Sequence, residues 1–300
     1  MRMTMTINDA FAFGDIAFEK NVFCGCEHPL NAARFVILGA PFDGTASFRP
    51  GARFAPSSMR RDSWGLESYS PQLDRDLEEA FIADAGDLEM PYGDAKAAIK
   101  IVKEAVSALL NEKKIPVMIG GDHSLTTGAI EAALVHYPEL HLIHFDAHTD
   151  LRPDYLGDPW SHASVMRRCY DLLGGGRIHS FGIRSGLKGE FLFAKEHLDF
   201  HPFHLEGVEN LKALVGDAPV YVTIDLDVLD PSEMPGTGTP EAGGVSFQEL
   251  LKALAHVSEL KVIGTDMMEL SPPLDLSGAS TALACKLLRE WLLLLDLHRS

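Results

Sequence analysis

Apolar runs of four or five residues recur along this chain between longer stretches whose apolar positions are spaced three and four apart. The first pattern marks buried strands and the second marks helices with one greasy face. Strands are predicted at Arg34 to Leu38, Phe81 to Ala83, Ile115 to Ile119, Leu140 to Phe145, Arg177 to Ile183, Phe200 to His204, Val220 to Ile224 and Lys261 to Asp266. Helices fall between them: a short one near Ser57 to Arg61, one opening at Asp94 with Ile99, Val102, Val106 and Leu109 on one face, and one at Leu125 to His136. Others follow Ser161 and occupy Lys188 to His197, Glu206 to Leu214, Phe247 to His256 and Ala279 to Asp296. Strict alternation of strand and helix predicts an α/β fold with a parallel sheet. Eight strands suit an open sheet or a closed barrel, and both bind ligands at the carboxyl ends of their strands. Residues 1–33 lack periodicity and read as a surface-wrapping arm; the whole of 1–300 is expected to be one domain.

Chemistry gathers where the strands end. The run Leu142 to Phe145 leads into Asp146-Ala147-His148-Thr149-Asp150, and in extended backbone Asp146, His148 and Asp150 share one side. Val220 to Ile224 leads into Asp225-Leu226-Asp227, where the same alternation pairs two more carboxylates. Ile115 to Ile119 breaks at Gly120-Gly121 and delivers Asp122 and His123 on a tight turn. A single Asp at such a place is ordinarily a helix cap or turn former. The recurrence of acids at several strand ends points instead to a cation, because clustered carboxylates repel one another and resist desolvation. Oxygen-rich ligands with some imidazole and no thiolate suit Mn²⁺ or a similar divalent ion. Four carboxylates are too many for one ion, and two cations about 3.5–4 Å apart would trap a bridging water as hydroxide for hydrolysis.

Charge and composition narrow the class. The 300 residues carry 43 acids against 26 Lys and Arg, a formal net charge of −17, which repels nucleic acid and anionic membrane and favours cationic ligands. The apolar stretch Trp291 to Leu295 is too short to span a bilayer, and no signal peptide is evident after Met1, so a cytoplasmic location is expected. Cys24 and Cys26 form a Cys-x-Cys pair before His28 that lacks matching zinc ligands; reduced thiols are expected.

Three further segments could contribute. His162 follows the turn-rich Tyr155 to Ser161 and opens a helix, a placement suited to proton exchange at the mouth of a site. The Gly- and Pro-rich stretch from Val228 to Gly244 allows close backbone approach to a ligand but lacks the lysine and spacing of a phosphate loop. Within it Asp230 is out of phase with Asp225 and Asp227 and reads as a turn former, as do Asp275 and Glu139 elsewhere. Asp266-Met267-Met268-Glu269-Leu270-Ser271-Pro272 ends the last strand with a carboxylate that could face a cation.

Taken together, Gly120-Gly121-Asp122-His123-Ser124, Asp146-Ala147-His148-Thr149-Asp150 and Asp225-Leu226-Asp227-Val228-Leu229-Asp230-Pro231 resemble the ureohydrolase family, which includes arginases and agmatinases. The resemblance runs from Gly39-Ala40-Pro41-Phe42-Asp43 to Glu269-Leu270-Ser271-Pro272. It implies a three-layer α/β/α fold with an eight-stranded parallel sheet, two Mn²⁺ per subunit, and homotrimers or homohexamers. His123, Asp146, Asp150 and Asp225 would hold one ion, and Asp146, His148, Asp225 and Asp227 the other. His162 matches the family's proton-shuttling histidine, and Glu269 the carboxylate that pairs with a cationic guanidino substrate. Arginase's amino-acid recognition residues are replaced, with Arg152 standing where an Asn is needed, which favours agmatine over arginine. Guanidinobutyrate is the alternative if Arg152 binds a carboxylate rather than a neighbour such as Asp154. A catalytically silent polyamine-pathway regulator on the same scaffold would have lost a ligand or His162, and all are present.

Overall fold

The computed structural model describes residues 21–298. Of the expected arm, residues 1–20 lie outside the described residues, and the remainder buries Phe23 and Cys26. From there the chain runs through β1 (Phe35–Gly39), α1 (Ala55–Ser63), a small antiparallel pair β2 (Tyr69–Ser70) and β3 (Arg75–Asp76), β4 (Ile82–Asp87), α2 (Ala95–Asn111) and β5 (Ile115–Ile119). It continues with α3 (Thr126–His136), β6 (His141–Phe145), α4 (Val165–Leu173), β7 (Ile178–Phe181), α5 (Lys188–His197) and β8 (Asp199–His201). Last come α6 (Leu211–Val215), β9 (Pro219–Asp225), α7 (Phe247–Ser258), β10 (Lys261–Met268) and α8 (Ala279–Leu297).

The main sheet has eight strands in the order β4-β1-β5-β10-β9-β6-β7-β8, every pair parallel. It is open, with β4 and β8 at its edges, so the barrel alternative falls away. Alternate residues of each central strand enter opposite cores, because successive side chains of a strand point to opposite faces. Val117, Ile119, Ile143, Phe145, Val222 and Ile224 pack with α1, α6, α7 and α8. Met118, Leu142 and Tyr221 pack with α2, α3, α4 and α5. Two cores and one sheet make three layers, and burial on both sides explains why the strands read as unbroken apolar runs.

Pro116 sits inside a central strand, where a missing N–H would normally break the ladder. Ile115 donates its N–H toward β1, to Arg34 O at 2.9 Å, so by alternation the Pro116 nitrogen faces β10. Pairing of β5 with β10 begins only at Val117, so no donor is needed there.

The predicted elements shift at their ends. β4 extends through Gly86 to Asp87, and the helix expected at Glu206 to Leu214 shortens to α6 after one 3₁₀ turn at Val208–Asn210. The β2–β3 pair was not predicted, since two residues per strand leave no periodicity to detect. No helix among the described residues is long and apolar enough to cross a membrane.

Gly120 and Gly121 position the end of β5 by allowing backbones to touch. A Cβ on Gly121 would lie 1.6 Å from the Phe42 carbonyl oxygen, the same oxygen that accepts the Asp122 N–H at 2.7 Å. Gly121→Ala is therefore expected to lower stability by about 1–3 kcal/mol or more, since backbone cannot yield as a side chain can. Thermal unfolding beside wild type measures this, and an unchanged midpoint would contradict the close approach.

Candidate metal centre and catalytic cavity

The carboxyl ends of β5, β10, β9 and β6, four neighbours at the centre of the sheet, converge on one cavity of about 300 Å³. The chain order reverses here, with β9 and β10 inserted between β5 and β6, and such switch points open a crevice in a parallel sheet. His148, Asp150, His162, Asp225 and Glu269 line it, together with Ser47, Arg152, Tyr155 and Glu190. A larger hollow of about 650 Å³ over α2, lined by Lys96, Lys100 and Trp160, gathers no comparable groups.

His123 opens a 3₁₀ turn after β5, and its Nδ1 lies 3.2 Å from Asp146 Oδ2, 3.3 Å from Asp225 Oδ2 and 3.5 Å from Asp150 Oδ2. His148 Nδ1 lies 3.1 Å from Asp227 Oδ2 and 3.5 Å from Asp146 Oδ1. All six residues that the family resemblance implies as ligands thus face one space, whereas the Asp122 carboxylate is taken up by Thr45 and Ser124. Strand alternation is not what brings them there throughout. Asp150 has φ 49°, a left-handed kink that turns it inward. Leu226–Val228 forms a 3₁₀ turn in which Asp225 Oδ1 accepts the Asp227 N–H at 2.9 Å, so that turn, rather than extended backbone, pairs these acids.

Crowding shows in the acid–base behaviour. Burial, then the Asp227 and Asp146 carboxylates, push Asp225 well above the usual carboxylate range. Asp146 is held well below it despite burial, because His123, His144 and His148 all approach it. His148 is raised against the effect of burial by Asp227 and Asp146. Positive charge is what this space lacks.

The orphan atom of the cluster is His123 Nδ1, buried with no hydrogen bond of acceptable geometry although three carboxylate oxygens lie within 3.5 Å. Its partner nitrogen decides its role. Thr223 Oγ1 donates to Asp266 Oδ1 and so can only accept, at 2.8 Å, from His123 Nε2. Nε2 therefore carries the proton, and Nδ1 is left with a lone pair aimed among carboxylates, the donor set of a divalent cation. Ligand atoms of Asp146, His148 and Asp227 lie within 4.8 Å of one another, as do those of His123, His144 and Asp146.

His144 escaped the sequence reading, although the alternation through Asp146 and His148 extends back to it. Its Nε2 contacts Asp146 Oδ2 at 2.8 Å, and its Nδ1 lies 3.1 Å from Ser180 Oγ. Of the two acids at the end of β10, Asp266 turns away, accepting from Thr126, Tyr221 and Thr223. Glu269, at φ 67°, turns into the cavity, and its Oε1 accepts the His123 N–H at 2.7 Å. Burial, then Asp122, raises Glu269 well above the ordinary carboxylate range. Asp230 is a turn former, accepting from Ser232, Gly243 and Gly244. Arg152 does not meet Asp154, whose Oδ1 accepts from Gly157 N; it lies 4.9 Å above the Tyr155 ring, with its Nε 3.9 Å from Glu190. The tight Tyr155–Asp158 turn holds the Asp154 carboxylate locally and leaves the guanidinium to the aromatic face.

The sequence profile of the Arginase family matches residues 33–294. The chain belongs to the arginase family. Among arginase-family relatives, the agmatinase of Bacillus cereus is 44% identical over 283 residues, spanning 93% of this chain and 98% of that protein. The N(1)-aminopropylagmatine ureohydrolase of Thermococcus kodakarensis is 44% identical over 266 residues, spanning 85% of this chain and 88% of its own length. The crystal structure of the agmatine ureohydrolase of Thermoplasma volcanium superposes with a TM-score of 0.85 at 36% identity, covering 93% of this chain and 95% of that one. The family match includes every strand end that meets the cavity.

Asp146→Asn and Asp225→Asn are each expected to abolish most divalent-metal binding, read by metal analysis of the purified protein, because each carboxylate faces the cluster's centre. Thr223→Val should weaken metal binding about 10- to 100-fold by releasing His123 from its single tautomer. A metal titration of the folded variant checks this, and unchanged affinity would show that Thr223 does not govern His123.

Proposed function

We propose that this chain hydrolyses agmatine to putrescine and urea at a binuclear manganese centre held by His123, Asp146, His148, Asp150, Asp225 and Asp227. The observation that carries the reading is the meeting of these two imidazoles and four carboxylates in one cluster at the sheet's centre, of which His148, Asp150 and Asp225 line the same cavity as Glu269. The donor set supports manganese because hard oxygens dominate, with imidazole and no thiolate. When bound, such ions would supply Lewis acidity, lowering the pKa of a bound water so that hydroxide is available near neutral pH.

The chain's own residues supply the rest. Glu269 is a buried carboxylate lining the cavity, and a planar guanidinium offers the paired N–H donors that suit a carboxylate. Its anchor on the His123 N–H ties the substrate's orientation to the strand end that carries the ligands. An amine leaves poorly until it is protonated, and His162 at the cavity wall is placed to pass it a proton.

For the substrate's other end, the mouth presents Tyr155, Leu187, Glu190 and Arg152. Arg152 is engaged by Tyr155 and Glu190, which supports a substrate without a carboxylate, as do the agmatine-directed relatives. The second reading, a guanidino acid such as guanidinobutyrate, rests on the one-third exposure of the Arg152 side chain. The same reading carries a cytoplasmic homotrimer or homohexamer.

Urea release by the manganese-loaded protein from agmatine, arginine and guanidinobutyrate at equal concentration is the decisive test. Agmatine should be turned over well above the others. A guanidinobutyrate preference would transfer the reading to Arg152 as a carboxylate clamp, and no urea from any of them would favour a silent scaffold. Glu269→Gln should lower kcat/KM at least about 100-fold, the scale of losing a charge-stabilising contact in the transition state, while metal content is retained.

A further inference from the structure

The loop after β1 brackets the His162 ring with two hydroxyls. Thr45 Oγ1 lies 3.3 Å from Nδ1, and Ser47 Oγ lies 3.2 Å from Nε2. The loop itself is pinned: Asp43 Oδ2 accepts the Gly51 N–H at 2.8 Å and Arg53 bonds the same carboxylate, while Arg49 donates to Thr237 O and Gly238 O. Thr45 is held harder still. Asp122 Oδ2 accepts both the Thr45 N–H and the Thr45 hydroxyl at 2.9 Å, while Asp122 Oδ1 accepts from Ser124 N and Ser124 Oγ.

A hydroxyl has one proton and two lone pairs. The Thr45 proton goes to Asp122, and one lone pair accepts the His162 backbone N–H at 3.0 Å. The remaining lone pair faces Nδ1, so a bare Nδ1 would set two lone pairs against each other. Ser161 Oγ accepts the Ala163 N–H and keeps its own proton, but at 3.5 Å from Nδ1 it is the longer contact, at the limit of hydrogen bonding. The nearer partner, Thr45, favours the hydrogen on Nδ1. Nε2 is then the nitrogen with the free lone pair, and it is the one beside Ser47, an exposed residue of the cavity wall.

We infer that Thr45 is a positioning residue that holds His162 in its Nδ1–H tautomer, so that Nε2 alone exchanges protons between the cavity and solvent. In the neutral ring Nε2 accepts a proton; in the charged ring it donates that proton to the departing amine, and Nδ1–H stays bonded to Thr45 throughout. Asp122 acts only through the threonine. The other charged groups of this cavity, His148, Asp150, Arg152, Glu190, Asp225 and Glu269, share its lining, and none of them forms a hydrogen bond with the His162 ring. The proton-exchange role of His162 rests on the functional reading above, whereas its tautomer does not.

The test is ¹⁵N NMR of histidine-labelled full-length protein loaded with a diamagnetic divalent ion, at about pH 9, above ordinary imidazole titration, with His162 assigned by its loss in His162→Asn. The Nδ1–H tautomer is expected in the wild type, and a tautomer mixture in Thr45→Val. In the same variant kcat should fall about 10- to 100-fold, within the range of general acid–base assistance, with KM and metal content retained. Thr45→Ser should recover most of the rate. An Nε2–H wild-type ring would overturn the inference outright, even if Thr45→Val failed to fold. So would a Thr45→Val enzyme at full rate, or a Thr45→Ser enzyme as slow as Thr45→Val. A wild-type protein that releases no urea from any guanidino compound would sink the functional reading and leave the tautomer result to be judged alone.

Discussion

Like charges held together in a nearly dry space are the constraint on which this structure turns. Asp146, Asp225 and Asp227 are almost wholly buried within reach of one another, and Asp150 is close behind. Burial, and then the repulsion of Asp227 and Asp146, drives Asp225 up, while the attraction of Asp227 and Asp146 raises His148 against the effect of burial. Such a cluster is tolerable only because the scaffold is stiff: four adjacent strands, each buried on both faces, present the ends that carry it. Left-handed backbone at Asp150 and Glu269 adds local strain of the kind that persists where surrounding structure enforces it.

Two histidines of this site are governed by the same device. Thr223 gives its proton to the buried Asp266 and takes one from His123 Nε2; Thr45 gives its proton to the buried Asp122 and takes one from His162 Nδ1. In each case a carboxylate orients a hydroxyl, and the hydroxyl chooses which ring nitrogen is left bare. The choice differs because the tasks differ. His123 presents Nδ1 inward, toward carboxylates that would share a cation with it, while His162 presents Nε2 toward the open wall. A threonine serves better than a direct carboxylate contact here, since it fixes the tautomer without adding another charge against the ring.

Much of the fold was legible because its cause is local. A strand buried on both faces must be apolar throughout, and a helix covering a sheet must be apolar on one face, so periodicity alone located the eight strands and most of the helices. The two-residue strands β2 and β3 carry no such signal. The acids at the strand ends were legible for the converse reason, since a run of apolar residues ending in Asp has few structural explanations once it recurs. Legibility stopped where a residue's role depends on a distant partner. Arg152 seemed paired with nearby Asp154 but rests on Tyr155 beside Glu190, which α5 brings in from 38 positions away.

The sequence by itself determined the parallel α/β architecture, most of the residues that meet in the cluster, His144 excepted, and the family to which the chain is similar, because each follows from residue type at short range. Tertiary structure decided that the sheet is open, that β9 and β10 lie between β5 and β6, and that Asp266 supports the site while Glu269 enters it. It also decided the hydrogen-bond partners of His123 and His162, which stand 100 and 117 positions away in the chain. A hydroxyl's direction depends on where its proton can go, and that is set only when segments far apart in the chain have packed together.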